Sequence, residues 1–451
     1  MSEWKKVKIG DICKIVKGTT GIASAEPGQY PLVVTAEERK NCSTYQFDCE
    51  AVCIPLVSSS GHGKKSLKNV HYQSGKFALG TILCAVIPNN PQELDARYLH
   101  QYLQFYKDII LVPLMKGAAN VSLSMKDIAT VEFPLPPIER QRELSNLFVS
   151  LQEKQKELSS EYEKQIEYTK LLRQNILQEA IEGKLTADWR KQNPVQKGNP
   201  DYDAEALFEQ IQKEKISYIA ELHLKSMNFP KINDAEVSFD SKNNWVYARG
   251  DDCFNIRSAS RIHQSDWKTS GIPFLRGREL VQLAKYGKVI NPETYISEEF
   301  YNELKQKSGI PSKNDLLVSA VGTLGKVYIV QETDKFYYKD AYILCFENYH
   351  KLNAKFFSLV ISSPYYQKEI YKESKGTTVA QFTIGRAKFI PFPLPPLKEQ
   401  EEIVNKVERL LAKVTTLENQ IQDRKSLSEK LIFGIIKEKL EVKNDNLSGN
   451  N

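Results

Sequence analysis

FPLPPIERQREL (133–144) reappears as FPLPPLKEQEEI (392–403), 259 residues further along the chain. Proline forces extended geometry on the residue before it and is tolerated in the first turn of a helix. Each copy therefore predicts a strand end, a rigid elbow and a helix start. Upstream at the same offset, KGAANVSLSM (116–125) lies over KGTTVAQFTI (375–384). A one-residue shift brings LDARYL (94–99) over LNAKFF (352–357), and Lys76-Phe77 falls on Lys335-Phe336. LVSSSGHGK (56–64) resembles LVSAVGTLGK (317–326), and Trp4…Gly10-Asp11-Ile12-Cys13 resembles Trp245…Gly250-Asp251-Asp252-Cys253. Collinear matches of this kind are the signature of a duplicated unit.

Downstream of each elbow a mainly apolar seam recurs in steps of four and three, turning polar at matching places, Gln165/Thr169 and Arg424/Ser428. The first run is Leu144, Phe148, Leu151, Gln155, Leu158, Tyr162, Gln165, Thr169, Leu172 and Ile176. The second is Ile403, Val407, Leu410, Val414, Leu417, Ile421, Arg424, Ser428, Leu431 and Ile435. A heptad seam sustained over about five repeats predicts a left-handed coiled coil. Each helix would reach about 65 Å, roughly twice the diameter of a small domain, so packing on its own domain alone is disfavoured. The two helices are expected to pair antiparallel, with one globular domain at each end.

Upstream of the elbows, short β-branched and aromatic runs with Gly and Ser turns (KVINPETYI, GKVYIV) mix with helical stretches over Asp95–Tyr106 and Ala354–Ile361, an α+β pattern. The fold class expected is two α+β domains joined by two long antiparallel coiled-coil helices in a pseudo-two-fold duplication. The expected divisions are a first domain (1–138), a helix (139–185), a linker with one helix over Tyr202–Leu224 (186–244), a second domain (245–397), a second helix (398–442) and a disordered tail (443–451). Charge and aromatics in the linker read as solvated surface and packing.

The chain has 451 residues, 41% hydrophobic and 26% charged, which excludes a wholly disordered protein. No apolar run approaches the ~20 residues needed to span a bilayer, and MSEWKKVKIGD lacks a signal core. The seven scattered cysteines fit free thiols in a reducing cytoplasm. The net charge of +6 is concentrated in the domains: 15 basic against 12 acidic residues in 1–138, and 21 against 15 in 245–397. Two basic globular blocks suit a polyanion. Catalytic signatures fail. GHGKKS (61–66) has Ser58 where a phosphate loop needs its first Gly, and GTLGKV (322–327) fails in the same way. There is no dinucleotide turn and no amino-methylation motif, and the histidines and Cys49-x3-Cys53 lack zinc spacing. No catalytic or metal-ligating residue is expected.

The paired elbows, LLRQNILQEAIEGKLTADWR (171–190), FLRGREL (274–280), LVSAVGTLGK and KGTTVAQFTI resemble the DNA-specificity subunit of type I restriction–modification systems over nearly the whole chain. The resemblance implies that each domain reads one half of a split double-stranded DNA site and that the helices act as a ruler. It further implies docking of two modification subunits, which bind S-adenosylmethionine and methylate adenine, and of restriction/translocase subunits using ATP and Mg. The chain itself would be non-catalytic, without cofactor, cytoplasmic and not membrane-bound. The first domain lacks about 18 residues relative to the second, so the site should be asymmetric. A coiled-coil scaffold whose domains bind proteins is the alternative from another class, and an autonomous DNA-modifying enzyme is a third.

Candidate DNA contacts follow from the repeated loops. Ser60, His62, Lys64 and Lys65 in the first domain, and Ser319, Thr323 and Lys326 in the second, sit where glycines permit close backbone approach and lysines supply charge. A hairpin turn with solvated lysines explains them equally well. Arg276 and Arg278 could fork onto guanine, or pair with Glu279 or a neighbour. Lys116 and Asn120, and Lys375, Thr377, Thr378 and Gln381, fit loops facing phosphate or base edges. Asp95 and Asn353 read as helix starts. AIEGKLTADW (180–189), with Gly183 closing the helix, is a candidate partner contact.

Overall fold

Each proline elbow is locked by a buried glutamine from the repeated RQ/EQ step. Gln141 donates from Nε2 to the Pro136 and Glu93 carbonyls (2.8 and 2.9 Å), and its Oε1 accepts from the Asp95 amide (2.8 Å). Gln400 donates from Nε2 to the Pro395 carbonyl at 2.8 Å. Both side chains are fully buried, so the amide satisfies a carbonyl that the prolines leave without a partner. The computed structural model describes residues 4–60, 63–223, 229–233, 236–237, 244–289, 292–350, 352–372 and 380–440. Two compact units emerge: 1–164 with 421–451, and 165–420.

In the first unit, strand Lys5–Lys8 pairs antiparallel with Glu132–Leu135, just ahead of the elbow. An antiparallel sheet runs in the order Cys13–Lys17, Leu83–Pro88, Ala51–Pro55, His71–Gln73. A second sheet contains the parallel pair Tyr30–Val33 with Lys76–Leu79. Helix Ala96–Ile110 starts at Asp95, whose carboxylate accepts from the Arg97 and Tyr98 amides.

The second unit repeats the plan. Val246–Arg249 pairs with Pro391–Leu394, and the four-stranded sheet runs Asn255–Ser258, Ile343–Glu347, Leu316–Ser319, Val327–Ile329. Ile272–Leu275 lies parallel to Tyr337–Tyr338, and Asn353 caps helix Ala354–Ser362. The additional residues of this domain form helices Gly277–Tyr286 and Glu298–Ser308.

The long helices span Ile138–Ile181 and Leu397–Leu440, 44 residues each. Within the second unit they run antiparallel: Arg173 reaches Glu418 (3.0 and 2.7 Å) and Thr415 (2.7 Å), while further along Lys406 Nζ donates to the Leu185 carbonyl (3.0 Å). Ile176, Ile403, Val407 and Val414 share one core there. In the first unit Leu144 and Phe148 share a core with Ile436 and Leu440. Ile421 is buried, and Leu151, Leu158, Tyr162, Leu410 and Ile435 are half-buried.

Three expected apolar seam residues, Leu172, Leu417 and Leu431, are instead exposed. On the second helix the inward stripe takes Leu411, Glu418, Lys425 and Ile432, one residue beyond each expected position. A helix of 3.6 residues per turn drifts about 20° per heptad against a strict 3.5 repeat, so a small rotation selects the neighbour. At one such place the Arg173–Glu418 pair fills the seam in place of the leucines.

The linker is less solvated than its composition suggests. Helix Ala204–Glu221 puts Leu207 and Ile211 into the second unit's core. Lys215 lies between Asp251 and Asp252 (2.8 and 3.0 Å), and Tyr218 stacks on Tyr349 with centroids 4.0 Å apart. Gly183 (φ +70°) closes the first long helix, and the chain then turns inward. Buried Glu399 accepts from Thr186 Oγ1 (2.7 Å), Trp245 Nε1 (2.8 Å) and Arg190. The stretch expected as a partner contact, 180–189, is thus engaged inside its own unit.

A polar cleft of about 710 Å³ separates the first domain from residues 152–163 of its helix. At its wall His71 is buried and its Nδ1 accepts from Arg39 (3.2 Å), so the ring is neutral with its proton on Nε2. Burial, then Arg39 and His100, push its pKa down to about 4. The unfolded ring, near pKa 6.5, takes a proton first. The first unit is therefore predicted to lose stability as pH falls from about 6.5 towards about 4. Thermal melts across that range should flatten in His71→Gln; an unchanged slope would remove His71 as the source.

Candidate nucleic-acid interface

The two loops singled out in each domain come together. In the first domain the Ser58 amide donates to the Val121 carbonyl (3.0 Å) and the Leu123 amide to the Leu56 carbonyl (2.9 Å), so the described residues of loop 56–66 lie beside loop 115–123. Ser58 Oγ ties back to the Lys64 carbonyl, and Ser60 Oγ bonds Ser66 Oγ at 2.7 Å. Gly117 (φ +121°) turns so tightly that a Cβ would lie 2.3 Å from the Asn120 carbonyl. Lys64, Lys65 and Asn120 point into solvent. Lys116 pairs with Asp127 (3.1 Å), whose carboxyl is held below its ordinary range by hydrogen bonds from Ser124 and Lys116. His62 lies outside the described residues.

In the second domain the Phe382 amide donates to the Ala320 carbonyl (2.9 Å), and Val321 pairs with Gln381. Thr323, Lys326 and Gln381 are exposed. Ser319 is not: its fully buried hydroxyl donates to the Thr323 carbonyl and accepts from the Lys326 amide (2.9 Å). It shapes the loop, as Ser58 does in the first domain, and cannot face a ligand. Lys375, Thr377 and Thr378 lie outside the described residues.

Helix Gly277–Tyr286 adjoins this loop, and with it encloses a cleft of about 640 Å³ lined by Arg276, Arg278, Lys285, Thr323 and Tyr342. Both arginines make the ion pairs that their neighbours allow. Arg276 binds Glu279 (3.0 Å) and Glu293 (2.8 Å), and Arg278 binds Glu293. Hydrogen bonds from Arg278 and Arg276 hold the Glu293 carboxyl below its ordinary range. Arg276 is tied to buried Glu279 through its backbone amide as well (3.1 Å), so it anchors the helix start, whereas Arg278 is more than half exposed. An exposed ion pair contributes little and exchanges readily for a new partner.

Sequence reasoning missed the far wall. The Tyr342 carbonyl accepts from the Ala320 amide (2.8 Å), and Ala341 holds a left-handed φ of +58° with its amide on Ser258 Oγ (2.9 Å). Lys339 lies over the Tyr342 ring at 4.1 Å. A second cleft, of about 560 Å³, continues from Tyr342 and Lys339 to Arg261, His263 and Trp267. Basic and aromatic side chains converging on one concave face can neutralise phosphates and stack or hydrogen-bond with bases. Among the described residues no group of three or more His, Cys, Asp or Glu could hold a metal ion, and no helix is long and apolar enough to cross a membrane.

Residues 1–168 and 242–424 match the family model described as the type I restriction modification DNA specificity domain. Similar curated proteins include a putative type I restriction enzyme specificity subunit of Haemophilus influenzae, 26% identical over 82% of this chain and 76% of its own length. The EcoDI specificity subunit of Escherichia coli is 23% identical over 93% of this chain and 84% of its own. The HsdS subunit of Thermoanaerobacter tengcongensis shares the fold, with a TM-score of 0.53 at 15% identity over 98% of this chain and 97% of that one. A chain from a structural study of complex assembly and conformational transition of the type I R-M system gives a TM-score of 0.55 at 15% identity, covering 98% of both.

Proposed function

We propose, for a chain that belongs to the type I restriction–modification DNA specificity family, that it recognises a two-part, asymmetric site in double-stranded DNA and directs partner subunits to it in the cytoplasm. The observation that carries this reading is the building of one loop-pair platform twice, with different side chains on it: Lys64, Lys65 and Asn120 on one, Thr323, Lys326 and Gln381 on the other. Twin platforms of unlike chemistry suit half-sites of unlike sequence. Phosphate contacts from the lysines would set register, and base edges would be read beside them.

The partners would supply the chemistry. S-adenosylmethionine would be held by two modification subunits, and ATP and Mg by restriction/translocase subunits, while this chain contributes recognition and spacing. The long helices offer a repeated docking feature. Tyr168 and Leu172 are exposed on the first helix, and Leu427 and Leu431, 259 residues later, are exposed on the second. Equivalent apolar pairs, one per copy, suit two copies of one partner.

Mapping methylated adenines in a genome expressing this chain with its modification partner tests the reading. An interrupted, asymmetric motif is expected. Methylation without a motif, or a continuous palindrome, would contradict it. The ruler role makes a separate prediction: adding one heptad to both long helices lengthens them by about 10.5 Å, which should widen the gap by about three base pairs at ~3.4 Å each. An unaltered gap would defeat the ruler.

A further inference from the structure

We propose that helix Gly277–Tyr286 is the base-reading element of the second domain, entering the major groove with Arg278, Val281, Gln282 and Lys285. This rests on the reading of the chain as a DNA-specificity subunit, and adds which residues specify one half-site. The helix is ten residues long and two-faced. Leu280 and Leu283 are buried in a core with Leu275, Leu317 and Tyr338. The four named residues recur at i, i+3, i+4 and i+7, hence on one face, and all four line the cleft opposite Thr323 and Tyr342.

The geometry of the helix suits the groove. An α-helix with its side chains is about 10–12 Å across, and the B-DNA major groove is about 12 Å wide. Both ends are fixed. Arg276 and Glu279 hold the first turn, and Gly287 (φ +67°) closes the last with its amide on the Leu283 carbonyl (2.9 Å).

The chemistry of the face is that of base edges. A guanidinium forks onto guanine O6 and N7, a carboxamide onto adenine N6 and N7, and an aliphatic group meets the thymine methyl. Lysine reaches phosphate. Val281 is half-exposed on a polar rim, where it has a use only if something apolar comes to it.

Among its described residues the first domain has no such helix. Its strands Tyr30–Val33 and Lys40–Cys42 pair directly, Leu32 opposite Lys40, and Arg39 is turned onto His71, Gln73 and the Tyr72 carbonyl. The two half-sites would therefore be read by different means: one by a helix beside its loop pair, the other by its loop pair without a helix.

Selection of bound sequences from a random duplex library by the full chain tests this. For Gln282→Ala, preference at one or two adjacent base pairs should fall from about tenfold or more to within about twofold, in one half-site only. Gln282→Glu should move that preference from adenine towards cytosine, whose amino group a carboxylate accepts. Arg278→Ala should relax a neighbouring position. Both substituted positions line the cleft outside the core, so unfolding temperatures should move little. A wild-type interrupted motif that all three variants leave intact would overturn the helix assignment alone. A wild-type chain with no sequence preference would overturn the specificity reading beneath it.

Discussion

Leu427→Asp with Leu431→Asp should reduce the modification-type partners held per chain from the proposed two to one, and adding Tyr168→Asp and Leu172→Asp should reduce them to none. The four side chains are 68%, 62%, 64% and 43% exposed, so free energy of folding should change by no more than about 0.5 kcal/mol each. In a complex the position differs. Fully burying one large apolar side chain contributes about 1.5–3 kcal/mol, and an aspartate in its place brings an unpaired charge out of water. Losing a pair should therefore weaken docking by at least two to four orders of magnitude, enough to empty one site at micromolar concentration. Because the pairs occupy equivalent positions in the duplication, each pair should control one partner. Native mass spectrometry of the co-expressed assembly reads the stoichiometry directly. Two partners retained by the fourfold variant would show that the docking surface is elsewhere.

Glu399→Ala should destabilise the second unit by about 3–5 kcal/mol, the cost of removing one partner from a buried ion pair. Its carboxylate joins the end of the first long helix (Thr186, Arg190), the start of the second domain (Trp245) and the first turn of the second long helix. Removing it takes the acceptor from the Thr186 hydroxyl and the Trp245 indole N–H, and the counter-charge from the mostly buried Arg190 guanidinium, which still donates to the Gly183 carbonyl. Glu399→Gln keeps one acceptor oxygen and should cost less. Chemical denaturation of the full chain, followed by Trp245 fluorescence with the remaining tryptophans replaced, separates the two variants. Equal, small effects would mean that the pair is hydrated and structurally dispensable.

The parts of the fold legible in sequence were those written twice. The elbows, the 44-residue helices and the caps at Asp95 and Asn353 each recur in both copies, and local chemistry determines them. What escaped depends on residues brought together from far apart. Thr186, Arg190 and Trp245 meet Glu399 across 213, 209 and 154 residues, and Glu399 has Arg140 as its counterpart in the first copy, so repetition gave no hint of its burial. The seam was misread at Leu172, Leu417 and Leu431 because heptad counting cannot resolve a rotation smaller than one residue.

At the candidate interface the loops were legible as repeats, but their pairing and the direction of their side chains were not. Ser319 looked like a polar residue in a glycine loop, and its hydroxyl is consumed by the loop itself. Tyr342 and Lys339 belong to a stretch where the two copies diverge, DKFYYKDAYILCF against GKFALGTILCAV. The place of Tyr342 opposite Arg278, with Lys339 over its ring, comes from sheet topology alone. Divergence between copies on a shared scaffold is itself what unlike half-sites require.

The most direct test of the central claim, that two dissimilar domains of one chain read two separate stretches of DNA, is a hydroxyl-radical footprint of the assembled complex on its own methylation site. Two protected patches of different sequence, with unprotected duplex cleaved between them, are expected. One unbroken patch, or no protection, would contradict the account.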